Sequence, residues 1–138
     1  MTERTASCRC GQLRVTTTGE PVRMSVCHCL NCKKRSGSAF ATQARWPSEQ
    51  VTVEGQSKTF RKVSDSGNWA TFHFCPECGS DVLYRNEGPG IDADSANLLG
   101  IPLGAFDDPF FGRLNYSVYE DRKLEWLEIV GENVEHFG

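Results

Sequence analysis

The chain has 138 residues, a hydrophobic fraction of 38% and a net charge of −3. That length suits one domain, spanning 1–138, with a thin core. The slight acidity removes the electrostatic reason to expect nucleic acid as a partner. The start, Met1 to Ser7, lacks the apolar run of a signal peptide, and no stretch reaches membrane-spanning length. A cytoplasmic protein without a membrane partner is therefore expected.

In chain order, Gln12 to Thr18 alternates, with Leu13, Val15 and Thr17 on one side, and ends at the turn Gly19-Glu20-Pro21. Val22, Met24 and Val26 alternate next, so a strand delivers the chain to Cys27. Leu30 to Ser36 suits one short helical turn. Phe40 to Trp46 alternates again up to Pro47. Val51 to Glu54 and Lys58 to Val63 read as a hairpin around Gly55-Gln56. Trp69 to Phe74 runs into Cys75 with Phe72 and Phe74 on one face. Val82 to Arg85, Asn97 to Ile101 and Asn115 to Tyr119 are further strands, with a loop from Gly104 to Pro109 before the last. No long window has helical periodicity, so the expected class is all-β with short helical turns.

The seven cysteines fall into Cys8-Arg9-Cys10, Cys27-His28-Cys29-Leu30-Asn31-Cys32 and Cys75-Pro76-Glu77-Cys78, and none lies elsewhere. In a reducing compartment an odd thiol count at C-x-x-C spacing favours metal over disulfides. Two thiolates in a tight turn can reach one zinc ion. Two partitions fit the spacing. Cys29, Cys32, Cys75 and Cys78 would make an ordinary zinc ribbon and leave three thiols unexplained. Joining Cys8 and Cys10 to Cys75 and Cys78 instead leaves Cys27, Cys29 and Cys32 as a three-thiolate site within one hexapeptide. The second partition uses every thiol and is the preferred one.

These stretches also carry a family likeness. Cys27 to Phe40 resembles the signature of the glutathione-dependent formaldehyde-activating enzyme and centromere protein V family. Cys8-Arg9-Cys10-Gly11, Phe74-Cys75-Pro76-Glu77-Cys78-Gly79, Phe106-Asp107-Asp108-Pro109 and Arg122-Lys123-Leu124-Glu125-Trp126 resemble its other motifs, in the same order. The resemblance implies a zinc-stabilised β-tent. It also implies a structural zinc on Cys8, Cys10, Cys75 and Cys78, and Cys27, Cys29 and Cys32 as ligands of a catalytic zinc. Two departures stand out. Lys33 follows the third site cysteine where members often have arginine, and Ser117-Val118-Tyr119 replaces a triplet that often begins with histidine.

The implied function is a zinc-dependent carbon–sulfur lyase acting on a small thiol such as glutathione, or on its formaldehyde adduct. Three thiolates make zinc a weak Lewis acid, so thiol capture is the expected role. The alternatives are a non-catalytic zinc-binding interaction module and a zinc or redox sensor. His28 is either a fourth ligand or proton carrier, or a locally hydrogen-bonded side chain. Lys33, Lys34 and Arg35 either bind the carboxylates of the thiol or form a solvated basic turn. Asp107 and Asp108 are expected to cap their loop, and His73 and His136 to be structural.

Overall fold

The computed structural model describes residues 1–138. Strand β1 (Glu3–Ser7) pairs antiparallel with β2 (Arg14–Thr18), Ala6 lying opposite Val15. Alternation does not announce β1, because Ala6 is its one buried residue. Leu13, Val15 and Thr17 are fully buried, as the alternation in that segment predicts. Strand β3 (Arg23–Cys27) ends on the first cysteine of the hexapeptide, and α1 (Leu30–Ser36) follows it directly. The remaining elements are β4 (Ala41–Pro47), β5 (Val51–Glu54), β6 (Lys58–Val63), β7 (Trp69–Phe74), β8 (Asp81–Glu87), α2 (Ala93–Ala96), β9 (Leu98–Ile101), β10 (Tyr116–Val118) and β11 (Glu135–His136), with three short 3-10 turns between them. The protein is thus mainly β, in two sheets. One runs β1-β2-β5 and the other runs β11-β10-β3-β4-β9-β8-β7-β6. No helix is long and apolar enough to cross a membrane.

The expected hairpin around Gly55-Gln56 does not form. β5 pairs with β2 in the small sheet, whereas β6 pairs with β7 at the edge of the large one. The chain therefore changes sheet at these residues. Gln12 makes the change specific, since its Nε2 donates to the Gln56 carbonyl at 2.7 Å and its Oε1 accepts from the Gln56 N–H at 3.0 Å. Gly55 sits at φ 100° with its α-carbon hard against the Gln12 backbone. Local sequence carries the turn chemistry, but the partner that straightens the turn into a crossing lies 44 residues away.

Twelve buried residues form the core, drawn from both sheets and from the cysteine turns. Trp46 is its largest fully buried side chain, with Nε1 donating to the Gly19 carbonyl at 3.1 Å. The loop expected at 104–109 docks on β1: Phe106 bridges to Ala6, and the Asp107 N–H donates to the Thr5 carbonyl at 2.9 Å. Phe106 in turn meets Trp46 at 5.6 Å and Phe111 at 4.6 Å between ring centroids. Asp108 accepts from the Phe110 N–H at 2.9 Å, the loop-capping role expected of it.

Gly55→Ala tests the crossing. A β-carbon there would lie 2.0 Å from the Gln12 carbonyl oxygen, and alanine also resists the positive φ. Urea unfolding should show a loss of about 1–3 kcal/mol. An unchanged midpoint would contradict this sheet-to-sheet connection.

Candidate metal centres

Two turns bring Cys8 and Cys10 against Cys75 and Cys78, and the four sulfurs lie within 4.8 Å of one another. Each turn closes on backbone hydrogen bonds: Gly11 N–H to the Cys8 carbonyl at 3.1 Å, and Gly79 N–H to the Cys75 carbonyl at 2.8 Å. Both glycines take the positive φ that lets the chain leave a tight knuckle. No two cysteines are joined by a disulfide. The Sγ atoms of Cys8 and Cys10 are 3.6 Å apart, and those of Cys10 and Cys75 are 3.7 Å apart. A tetrahedron with metal–sulfur arms of about 2.3 Å has an edge of roughly 3.8 Å. The cluster therefore fits a four-thiolate metal shell, a donor set suited to zinc.

Donors surround these sulfurs. The Leu13 N–H points to Cys8 Sγ at 3.3 Å, and Gln12 Nε2 and the Glu77 N–H point to Cys75 Sγ at 3.0 and 3.3 Å. Gln12 thus serves both the crossing at Gln56 and the four-cysteine cluster. The Ser80 hydroxyl, then its backbone N–H, pulls Cys78 down to about 5. For Cys75, burial pushes upward, and the bonds from Gln12, Cys78 and Glu77 outweigh it. Cys75 and Cys78 are thus set up to lose protons, which metal binding requires. At Cys10 a backbone bond from Gln12 favours the thiolate, but Cys8, burial, Cys75 and Cys78 together push it up to about 12.

The second cluster is built differently. Cys27 ends β3, Cys29 caps α1 by accepting from the Cys32 N–H at 3.4 Å, and Cys32 lies in the first turn. The three sulfurs lie within 4.8 Å of one another. They could hold a metal ion with one coordination position left over, the arrangement of zinc sites that do chemistry. The Cys27 thiol donates to Cys32, lowering Cys32 to about 6 and raising Cys27. The structure therefore separates the cysteines according to the preferred partition and not as a zinc ribbon.

His28 lies between two of these cysteines but is not available as a fourth ligand. It is fully buried, its Nε2 lies 3.0 Å from Ser117 Oγ, and its ring meets Phe40 edge-on at 6.3 Å. Alternation along the extended backbone turns it away from Cys27 and Cys29, and burial lowers its pKa, keeping it neutral. Ser117, the departure noted in the sequence, is the buried partner of that imidazole. His73 lies 3.3 Å from Ser57 Oγ, and His136 lies 2.6 Å from Glu120 Oε2, both away from the two clusters.

The basic run divides. Lys33 Nζ donates to the Arg122 carbonyl at 2.6 Å, and Arg35 is ion-paired with Asp81 at 2.8 Å. Burial works against the Arg35 charge, and the bond to Asp81 together with the charges of Asp81 and Cys32 outweighs it. Its guanidinium lies 5.2 Å from the Phe72 ring centre and 5.3 Å from that of Tyr84. Arg35 is thus a fixed positive charge beside Cys32, whereas Lys33 is committed to the backbone. A cavity of about 300 Å³ opens beside Cys27 and Cys32, and its wall includes Arg23, Gln43 and Arg45. Those three residues drew no attention in the sequence. The available signal was that Arg23, Ser25 and Cys27 alternate along one face of a single strand.

The sequence model of the family described as glutathione-dependent formaldehyde-activating enzyme matches residues 3–122, a span holding all seven cysteines. No curated protein matches the chain. Among solved structures, a crystal structure of a Rhodobacter sphaeroides protein is similar, with a TM-score of 0.56 and 16% identity over 75% of this chain and 88% of that one. At that identity the likeness concerns the fold.

The two clusters should respond differently to metal loss. A mild chelator is expected to strip the three-cysteine site first while circular dichroism and the melting transition persist. Cys75→Ser should forfeit on the order of 10 kcal/mol of metal-linked folding energy and leave no cooperative melt. Two ions leaving together with unfolding would show that both sites are closed.

Proposed function

The chain belongs to the glutathione-dependent formaldehyde-activating enzyme family, and on that premise we propose that it is a zinc-dependent carbon–sulfur lyase. Its substrate is a small thiol or the adduct of that thiol with an aldehyde, glutathione and S-hydroxymethylglutathione being the first candidates. One observation carries the reading: a cluster of three sulfurs, one short of a closed tetrahedral shell, contributes Cys27 and Cys32 to the wall of a cavity. A second zinc, on Cys8, Cys10, Cys75 and Cys78, fits a closed structural role.

Zinc held by Cys27, Cys29 and Cys32 would supply a place where an incoming thiol stays deprotonated at neutral pH. The protein's own groups do the rest. Arg35, fixed by Asp81, offsets the negative charge that three thiolates place on the site. Phe72 and Tyr84 flank its guanidinium and exclude water, which strengthens that attraction. The thiol sulfur donates an electron pair to the formaldehyde carbon, forming the carbon–sulfur bond. The carbonyl π pair moves to oxygen, which takes a proton from solvent in the cavity. The reverse sequence breaks the same bond and returns thiol and aldehyde. His28 has no step in this scheme, because its ring faces Ser117.

Cys29→Ser separates chemistry from fold. Serine is a favourable N-cap, so α1 should persist, and the four-cysteine centre uses other residues. The expected result is adduct formation and breakdown at the uncatalysed rate, followed by exchange NMR with labelled formaldehyde, in a protein of unchanged melting temperature. A catalytic rate equal to that of the parent protein would contradict the proposal.

A further inference from the structure

Three arginines line the cavity beside Cys27 and Cys32, and while Arg35 is paired with Asp81, no acidic residue of the chain pairs with Arg23 or Arg45. Alternate residues of a strand share a face, so β3 presents Arg23, Ser25 and Cys27 together. β4 sets Arg45 opposite Arg23, Gln43 opposite Ser25 and Ala41 opposite Cys27. Like charges directly opposed on a sheet destabilise it. Neither arginine has a carboxylate partner, since the four ion pairs of the chain use other cations. No aspartate or glutamate lines the cavity.

Both guanidiniums are nevertheless held in place. Arg45 donates from Nε and Nη2 to Tyr84 Oη, each at 3.3 Å. Arg23 lies 4.4 Å over the ring centre of Tyr116, and its Nε is buried without a partner. Burial, then the nearby charge of Arg45, pulls Arg23 below the ordinary arginine range. Midway between the arginines and Cys27 stands Gln43, only 4% exposed. Its Nε2 donates to Ser25 Oγ at 2.9 Å, while its Oε1 is buried and unpartnered.

We propose that this row recognises an acidic, peptide-sized thiol: a carboxylate on Arg23 and Arg45, a peptide N–H on Gln43, and the sulfur at Cys27, Cys29 and Cys32. The proposal rests on the thiol reading above and adds to it the residues that read the charge and the length of that thiol. Guanidinium pairs grip a carboxylate with several parallel donors. Four residues of extended strand separate the α-carbons of Arg23 and Cys27 by about 13 Å. A mercaptan whose carboxylate adjoins its sulfur cannot occupy both ends, whereas a tripeptide thiol can. The residues that select substrate are thus strand arginines, and Lys33 is not among them.

Calorimetric titration of the zinc-loaded protein with three probes tests the proposal. The probes are glutathione, its diethyl ester, which keeps the thiol but no carboxylate, and S-methylglutathione, which keeps the carboxylates but no free thiol. Glutathione should bind tightest, and Arg23→Gln or Arg45→Gln should weaken it about tenfold or more while leaving the ester unaffected. S-methylglutathione should bind weakly and lose that binding in the same variants. Arg23→Lys, which keeps the charge, should recover part of the affinity and guards against a variant that fails through misfolding. An ester that binds as tightly as glutathione would overturn the carboxylate site while leaving the thiol reading intact. Glutathione and S-methylglutathione binding equally, both dependent on the arginines, would support the carboxylate site and refute the thiol reading. No heat from any probe would overturn both.

Discussion

Four cysteine sulfurs drawn to one point constrain everything else in this fold. Cys10 and Cys75 are 65 residues apart in sequence and their sulfurs are 3.7 Å apart in space. Holding them there joins the small sheet, which enters through β1 and β2, to the large sheet at the β7–β8 turn. Cys8 and Cys75 are themselves core residues, packed with Leu13, Val15 and Val82. The four-cysteine cluster is thus continuous with the apolar interior and supplements a core of 12 residues, small for a chain of this length. Gln12 shows the economy of the arrangement, with one amide holding both the sheet crossing at Gln56 and the Cys75 sulfur.

The four-cysteine cluster also positions the three-cysteine one. Asp81, which begins β8, lies three residues beyond Cys78 and holds Arg35 beside Cys32. A single turn therefore supplies two thiolates for one site and the counter-charge for the other. From the opposite side, β10 runs parallel to β3 and sets Val118 beside Cys27 and Ser117 against His28. In this way the imidazole is kept out of the site and neutral. A serine at position 117 is small enough to be fully buried there and polar enough to satisfy one ring nitrogen.

Much of this was legible in the sequence, for local reasons. Cysteine spacing located both clusters, and the requirement that every thiol be used chose their partition. Alternation found most strands, and Leu30 to Ser36 is helical at the predicted bounds. The misreadings share one cause, a decisive partner distant in sequence. Gly55-Gln56 looks like a hairpin turn until Gln12 is placed against it. β11, two residues long, exists only because β10 offers it an edge. For Lys33-Lys34-Arg35 the sequence left ligand binding and a solvated basic turn both open, and it is partners far along the chain, the Arg122 carbonyl and Asp81, that occupy Lys33 and Arg35. Arg23 and Arg45 belong to separate strands and become a pair only through the β3–β4 register.

Division of labour between a closed and an open thiolate site is the central claim, and X-ray absorption at the zinc edge measures it directly. With two zinc ions bound per chain, the account predicts seven sulfurs shared between them, plus one light-atom ligand contributed by water at the open site. Adding glutathione should replace that light atom with an eighth sulfur. A fully sulfur shell before any thiol is added, or a nitrogen from His28 in the resting shell, would contradict the account.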